Sequence, residues 1–284
     1  MRHHSGSQGT MTDSASPAPA DVPPLLEFAS LTDTGRARHN NEDTVKLDPL
    51  LGLAVLADGM GGYNAGEVAS DLAAGRVLEQ LSAWLRQSPG PHDDDSIRRA
   101  LAQATQQANH AVHEAAGSRA EYAGMGTTLV SALFATDSVW IAHVGDSRAY
   151  RLRGALFEQL GRDHSLLQEQ IDAGLLTPEE ASYSMHRNLV TRAVGVEPEV
   201  VADVHAHDLR GGDVVLLCSD GLSDMLPDVV IAQVMRSHES LEAMAQALVD
   251  AANAAGGRDN IAVVLARVRG GLTRAGRGWW PFRR

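Results

Sequence analysis

Leu51-Gly-Leu-Ala-Val-Leu-Ala-Asp-Gly-Met-Gly-Gly62 sets an unbroken apolar run directly against a carboxylate and a glycine-rich turn. Leu51 to Ala57 has the length and continuous apolar character of a buried strand. Beyond the turn, Ala65 to Arg86 reads as an amphipathic helix, with Val68, Leu72, Val77, Leu78, Leu81 and Leu85 on its apolar side. The same association recurs along the chain. Asp146 follows Ile141-Ala-His-Val-Gly145, Asp220 follows Val214 to Ser219, and Asp259 immediately precedes the strand at Ile261. Glu42-Asp43 falls just after an expected first strand.

A lone Asp-Gly at a strand end is usually just a turn, because both residues suit turn geometry. Several such carboxylates converging in one cleft would repel one another, so convergence implies cations. Oxygen ligands without a cysteine or histidine cluster favour magnesium, manganese or calcium over zinc. Two such ions bridged by one aspartate can hold a shared water as hydroxide in line with a phosphorus atom. Arg38, five residues before Asp43, is available for bidentate contact with a phosphate dianion, although an isolated loop arginine is usually solvated.

Outward from these strands, a second helix is expected over roughly Ser96 to Ala116. Strands follow at Thr128 to Ala135, Val139 to Val144, Ala149 to Arg153 and Val200 to His205. A further buried strand spans Val214 to Ser219, helices cover Pro227 to Arg236 and Leu241 to Ala254, and a last strand runs from Ile261 to Val268. Thr177-Pro-Glu-Glu180 forms a capping box inside a long irregular excursion from about His164 to Arg192. This order suggests stacked antiparallel sheets with helices outside. Residues 1–24, rich in Ser, Ala, Pro and Gly, are expected to be disordered, with Met11 an alternative start and His3 and His4 incidental. One domain is expected over 25–269. Residues 270–284 form a basic, aromatic tail ending in Trp279-Trp-Pro-Phe-Arg-Arg284, read as a frayed terminus before any docking or membrane-surface role.

The chain has 284 residues, 44% of them hydrophobic, and a formal charge of -12. That length supports a sizeable core, and that charge argues against a general nucleic-acid binder. No apolar run spans a bilayer and no secretion signal is read at the N-terminus, so a cytoplasmic, monomeric protein is expected. Cys218, the only cysteine, lies in an apolar strand and reads as core; Asp224 stands where a cysteine-nucleophile phosphatase needs a phosphate-binding arginine. Lys46, the sole lysine among 24 basic residues, has no glycine before it, which excludes a nucleotide-binding phosphate loop. His110, His113, His205 and His207 read as exposed helix and strand positions rather than ligands.

Taken together, Arg38-His-Asn-Asn-Glu-Asp43, Asp58-Gly-Met-Gly-Gly62, Gly124-Met-Gly-Thr-Thr-Leu129, Val144-Gly-Asp-Ser-Arg148, Ser219-Asp-Gly221 and Gly257-Arg-Asp-Asn260 resemble the metal-dependent protein phosphatases of type 2C, especially bacterial members. Six motifs in order make the resemblance specific, and it covers about Glu27 to Arg267. It implies an α+β fold, a four-layer α-β-β-α sandwich of two antiparallel sheets flanked by helix pairs. It also implies a phosphoserine/phosphothreonine protein phosphatase using two core Mn2+ or Mg2+ ions, with phosphorylated proteins as partners and a cognate Ser/Thr kinase to oppose. By resemblance Asp58 bridges the ions and the Gly59 carbonyl joins one. Asp220 and Asp259 hold the other, Glu42 and Asp43 orient metal-bound waters, and Arg38 binds the substrate phosphate. Asp146 matches the aspartate that holds a third ion with the Asp220 equivalent, and residues 164–192 resemble a variable flap.

The chain departs from the family at the general acid. Met60 and Tyr63 stand where relatives carry histidine, leaving a metal-bound water, His39 or His164 as candidates. A dinucleotide site around Gly59-Met-Gly61 is disfavoured by Asp58, whose charge opposes a pyrophosphate. A serine nucleophile at Ser147 is disfavoured because a strand, not a helix, is expected after it. A non-catalytic phosphoprotein binder and a small-molecule phosphatase remain as rivals.

Overall fold

The structure is a computed structural model that describes residues 26–62, 65–177, 180 and 189–269. Both expected tails, Tyr63 and most of the central part of the excursion lie outside these residues. Eleven strands are present among the described residues: β1 Leu26–Asp33, β2 Asp43–Asp48, β3 Leu53–Met60, β4 Gly126–Thr127, β5 Leu129–Phe134, β6 Ser138–Val144, β7 Arg148–Arg153, β8 Leu156–Gln159, β9 Asp203–Asp208, β10 Val214–Cys218 and β11 Ile261–Val268. The α-helices that lie wholly within the described residues are α1 Ala65–Gln87, α2 Asp94–Ser118, α3 Leu166–Asp172, α4 Asp220–Ser223, α5 Asp228–Arg236 and α6 Leu241–Ala254.

One sheet has the order β1-β11-β10-β7-β8, and the other β2-β3-β5-β6-β9 with β4 added to β3. Every pairing between strands is antiparallel. The alternation of side chains explains why the central strands read as continuous apolar runs. Leu53, Val55 and Ala57 of β3 turn toward α1 and α2, while Ala54 and Leu56 turn toward the opposite sheet. In β10, Val214, Leu216 and Cys218 meet α5 and α6, while Val215 and Leu217 join the layer between the sheets. Strands covered on both faces need no polar side. The result is the expected α-β-β-α sandwich, with three apolar interfaces in series.

The face that α1 buries differs from the expected stripe. Val77 and Leu81 are fully buried, but Val68, Leu72, Leu78 and Leu85 only flank the contact, and the buried ridge is Ala65, Gly66, Ala69, Ser70, Ala73 and Ala74. Close approach is the reason: a Cβ on Gly59 would lie 2.0 Å from the Gly66 carbonyl oxygen. The helix can rest on the Asp58-Gly59 end of β3 only through small residues.

Three strand boundaries also move. β3 continues past Asp58 to Met60 because β4 pairs with Gly59 and Met60 and extends the ladder. Asp43 opens β2 rather than trailing a first strand, since it pairs directly with Asp58. The strand expected at Val200 instead begins at Asp203; Val200 N–H donates to Gln106 Oε1 (3.1 Å) and the Val201 carbonyl accepts from Arg192, which holds them in a loop. Thr177 and Glu180 make the reciprocal hydrogen bonds of the capping box. Among the described residues no helix is long and apolar enough to cross a membrane.

Candidate active site

The strand ends that carry the acidic residues meet at one end of the sandwich. Asp43 and Asp58 face each other across the β2–β3 ladder. Asp146 occupies the turn between β6 and β7, Asp220 is the first residue of α4 after β10, and Asp259 lies two residues before β11. Arg38, Glu42, Asp58, Gly59, Met60, Gly61, Thr128, Asp146, Val190, Asp220 and Asp259 line a single cavity of about 220 Å³. Of the residues expected at a metal-dependent site, only Asp43 is missing from that lining. It is buried directly behind Asp58, where Ser219 Oγ donates to its Oδ2 at 2.7 Å.

The loop that carries Arg38 is fastened from the far end of the chain. Arg36 and Ala37 N–H groups donate to the Gly257 carbonyl, and Asn260 Nδ2 donates to the carbonyls of Thr34 (3.0 Å) and Asn40 (2.8 Å). Asn260 Oδ1 accepts the Glu42 N–H at 2.8 Å. One asparagine therefore ties down both ends of the loop, and Arg38 Nη2 is brought 2.7 Å from Asp259 Oδ2. On the opposite wall, Asp58 N–H donates to Thr128 Oγ1 at 3.0 Å, and that hydroxyl shares a 2.7 Å hydrogen bond with Ser147 Oγ.

Electrostatics in the pocket are dominated by burial and like charge. Burial first, and then the charges of Asp43, Asp220, Asp146 and Asp259, hold the Asp58 carboxyl well above the ordinary carboxylate range. Burial followed by Asp146 and Asp224 does the same to Asp220. Burial pushes Asp43 up to about 7 and Asp146 up to about 6. Glu42 is raised by burial, with Arg38 pulling the other way. For Arg38, burial opposes the charge but Asp259 outweighs it, so the guanidinium is held above its usual value.

These carboxylates suit hard divalent cations. All the donors are oxygens, and Asp43 Oδ1 and Asp220 Oδ1 are buried without a hydrogen-bond partner, an arrangement that costs free energy unless a positive group is supplied. The donors converge without forming a closed cage: among the described residues no three His, Cys, Asp or Glu side chains are drawn together into a ready ligand set.

Three histidine expectations change. His164 does not face the cavity: it is 8% exposed, its Nδ1 accepts the Gly145 N–H, and its Nε2 points to Asp203, so it is not placed to protonate a leaving group. His113 and His207 are half-buried rather than exposed; His113 Nδ1 lies 3.1 Å from the Gly195 carbonyl. His39 is exposed in the Arg38 loop. Cys218 is fully buried, and burial pushes its thiol up to about 12, in keeping with a packing role. Thr128, Ser219 and Asn260 had no assigned role in the sequence. Their positions inside the motifs were visible, but the partners lie up to 226 residues away.

The description "Protein phosphatase 2C" matches residues 36–266. The chain is 38% identical to the serine/threonine phosphatase stp of Listeria monocytogenes over 252 residues, covering 87% of this chain and 96% of that protein. The solved Mycobacterium tuberculosis serine/threonine phosphatase PstP/Ppp is similar with a TM-score of 0.78 and 37% identity, covering 86% of this chain and 99% of that one. A structure of the PstP catalytic domain described as a complex with 2 manganese ions aligns with a TM-score of 0.76 and 36% identity, over 86% of this chain and 98% of that one. With a family match across most of its length and relatives this similar over nearly theirs, the chain is an enzyme of the protein phosphatase 2C family, grouped with bacterial serine/threonine phosphatases.

Proposed function

We propose that the chain hydrolyses phosphoserine and phosphothreonine monoesters of proteins in a Mn2+- or Mg2+-dependent reaction, and so reverses the action of a bacterial Ser/Thr kinase in the cytoplasm. The observation that carries this reading is the convergence of Asp58, Asp146, Asp220 and Asp259 on a cavity that Arg38 also lines. Asp58 and the Gly59 carbonyl, with Asp220 and Asp259, would hold two core ions, and Asp146 with Asp220 a third. When bound, the ions supply Lewis-acid stabilisation of charge developing on phosphoryl oxygens and make water a competent nucleophile near neutral pH.

The protein's own groups do the rest. Arg38 offers a planar, permanently charged donor set to the substrate phosphate, and its partial exposure keeps it within reach of a protein-borne phosphoresidue. Glu42 and Asp43 would orient metal-bound waters, Glu42 from the cavity wall and Asp43 from behind Asp58, where Ser219 fixes it. Met60 brings no proton donor to the cavity wall and the His164 nitrogens are engaged elsewhere, which leaves water in the pocket or the exposed His39 of the Arg38 loop to protonate the leaving alkoxide. The phosphatase domain is assigned to 25–269, with 164–192 as a substrate-selecting flap and 270–284 as a tail.

A panel of phosphoserine peptides, phosphothreonine peptides and small phosphometabolites, assayed with Mn2+ and with chelator, tests the reading. Turnover of the peptides that chelator and Asp58→Asn both abolish is expected. Preference for a metabolite would reassign the substrate, and a folded, Mn2+-saturated protein without turnover would make it a phosphoprotein binder.

A further inference from the structure

The turn that carries Asp146 is held on both flanks by two adjacent residues, Asp163 and His164, from the far side of β8. Before the aspartate, His164 N–H donates to the Gly145 carbonyl at 2.7 Å and Gly145 N–H donates to His164 Nδ1 at 3.1 Å. After it, Arg148 Nε and Nη2 both donate to the Asp163 carboxylate, at 2.9 and 2.6 Å to Oδ2. Because Nδ1 accepts, the neutral imidazole carries its proton on Nε2. That nitrogen lies 3.2 Å from Asp203 Oδ2 and donates to it. Arg192 Nη1 is equally close to Nε2 but is also a donor; its hydrogen bonds go to Asp203 Oδ1 and the Val201 carbonyl, both at 3.0 Å. Beneath the ring, buried His143 packs at 4.7 Å between centroids and restricts its tilt.

The same residue joins the returning end of the flap. The His164 carbonyl accepts Thr191 N–H at 2.8 Å, Leu166 N–H donates to the Leu189 carbonyl at 2.9 Å, and Ser165 bridges to Val190. Val190 lines the catalytic cavity. His164 thus contacts the Asp146 turn through its ring and the cavity-lining end of the flap through its backbone.

We propose that His164 is a positioning residue: through Gly145 it sets the Asp146 carboxylate, and through its carbonyl to Thr191, beside the Ser165–Val190 bridge, it keys the base of the flap to the same turn. The assignment rests on the reading of Asp146 as a metal ligand. It requires no proton transfer by His164. It needs a fixed acceptor at the Nδ1 position, and groups that orient ligands in this way typically contribute about 10- to 100-fold to metal affinity or activity.

Two substitutions separate the ring's two ends. His164→Asn places an amide oxygen near Nδ1 and can still accept the Gly145 N–H, while His164→Gln reaches toward Asp203 but leaves Gly145 without its acceptor. The readouts are Mn2+ isotherms on protein without substrate, kcat and KM on a phosphopeptide, and thermal denaturation. For His164→Gln, about tenfold weaker Mn2+ binding at the weakest site and a kcat lowered by about 10- to 100-fold with little change in KM are expected; His164→Asn stays within about threefold of wild type in both. Equal losses in the two variants, or a wild-type Mn2+ isotherm and kcat for His164→Gln, would overturn the proposal. If His164→Gln does not fold, His164→Asn decides alone: folded protein that has lost the weak Mn2+ site refutes the claim. Asp58→Asn assayed in parallel separates the two levels, since its continued activity would overturn the metal reading itself.

Discussion

Gly221 sits between the two strand ends that bear Asp220 and Asp259, and replacing it with alanine tests whether their spacing matters. A Cβ built there would lie 1.9 Å from the backbone carbonyl oxygen of Asn260, the residue that follows Asp259. Backbone cannot swing aside as a side-chain tip can, so the two chain segments must part by about 1 Å to reach the shortest contact proteins tolerate. Misplacement by about 1 Å in a catalytic constellation costs on the order of 100-fold in rate. Overpacking of this kind destabilises by about 1–3 kcal/mol, which for a domain of this size lowers Tm by roughly 2–6 °C. The control is Gly75→Ala on α1, where nothing lies within 4 Å of the added methyl. It relieves a helical glycine and is expected to stabilise by about 0.5–1 kcal/mol without changing activity. The assay is kcat/KM for an aryl phosphate with saturating Mn2+, measured beside thermal denaturation of both variants. A Gly221→Ala protein that keeps wild-type kcat/KM would refute the claim that the close crossing of these segments sets the site.

Other outcomes follow from the same geometry. Because burial holds Asp43 up to about 7 and Asp146 up to about 6, the native state binds more protons than the unfolded chain between the ordinary carboxylate value and those pH values. Stability of the metal-free protein therefore falls as pH rises through that window, and Mn2+ should offset the loss; denaturation midpoints that rise from pH 5 to pH 8 in chelator would contradict this. Ser219→Ala removes the donor to Asp43 and the acceptor of the Ala262 N–H, so a loss of about 1–3 kcal/mol is expected in urea melts, and an unchanged midpoint would show that these bonds contribute nothing net. Cys218, buried and with its thiol raised, should resist alkylation in the native state; rapid labelling without loss of structure would mean that β10 opens readily.

Much of this arrangement could be read from the chain because the central strands are covered on both faces. Continuous apolar runs ending in aspartate located β3 and β10, a run preceded by Asp259 located β11, and α6 and β11 span the residues that the pattern predicts. The edges were harder. β8 is a short edge strand with one exposed leucine, and β9 carries two histidines between two terminal aspartates, its placement depending on pairing with β6. On α1, helical periodicity pointed to the large residues, whereas proximity to Gly59 selected alanine and glycine for the contact. The acidic residues and Arg38 were identifiable because each stands at a strand end or in a recognisable motif. Asn260, Thr128 and Ser219 were not assignable, since their roles consist of hydrogen bonds to segments remote in sequence. His164 attracted attention for the wrong reason: its chemistry suggested an acid, and only its neighbours reveal that its nitrogens are already engaged.

Calorimetric titration of Mn2+ into the metal-stripped protein and into Asp58→Asn addresses the central claim most directly. Wild type should take up at least two ions, and the variant, lacking the carboxylate proposed to bridge them, should lose that uptake while remaining folded. Identical isotherms for the two proteins, or no binding to either, would contradict the account.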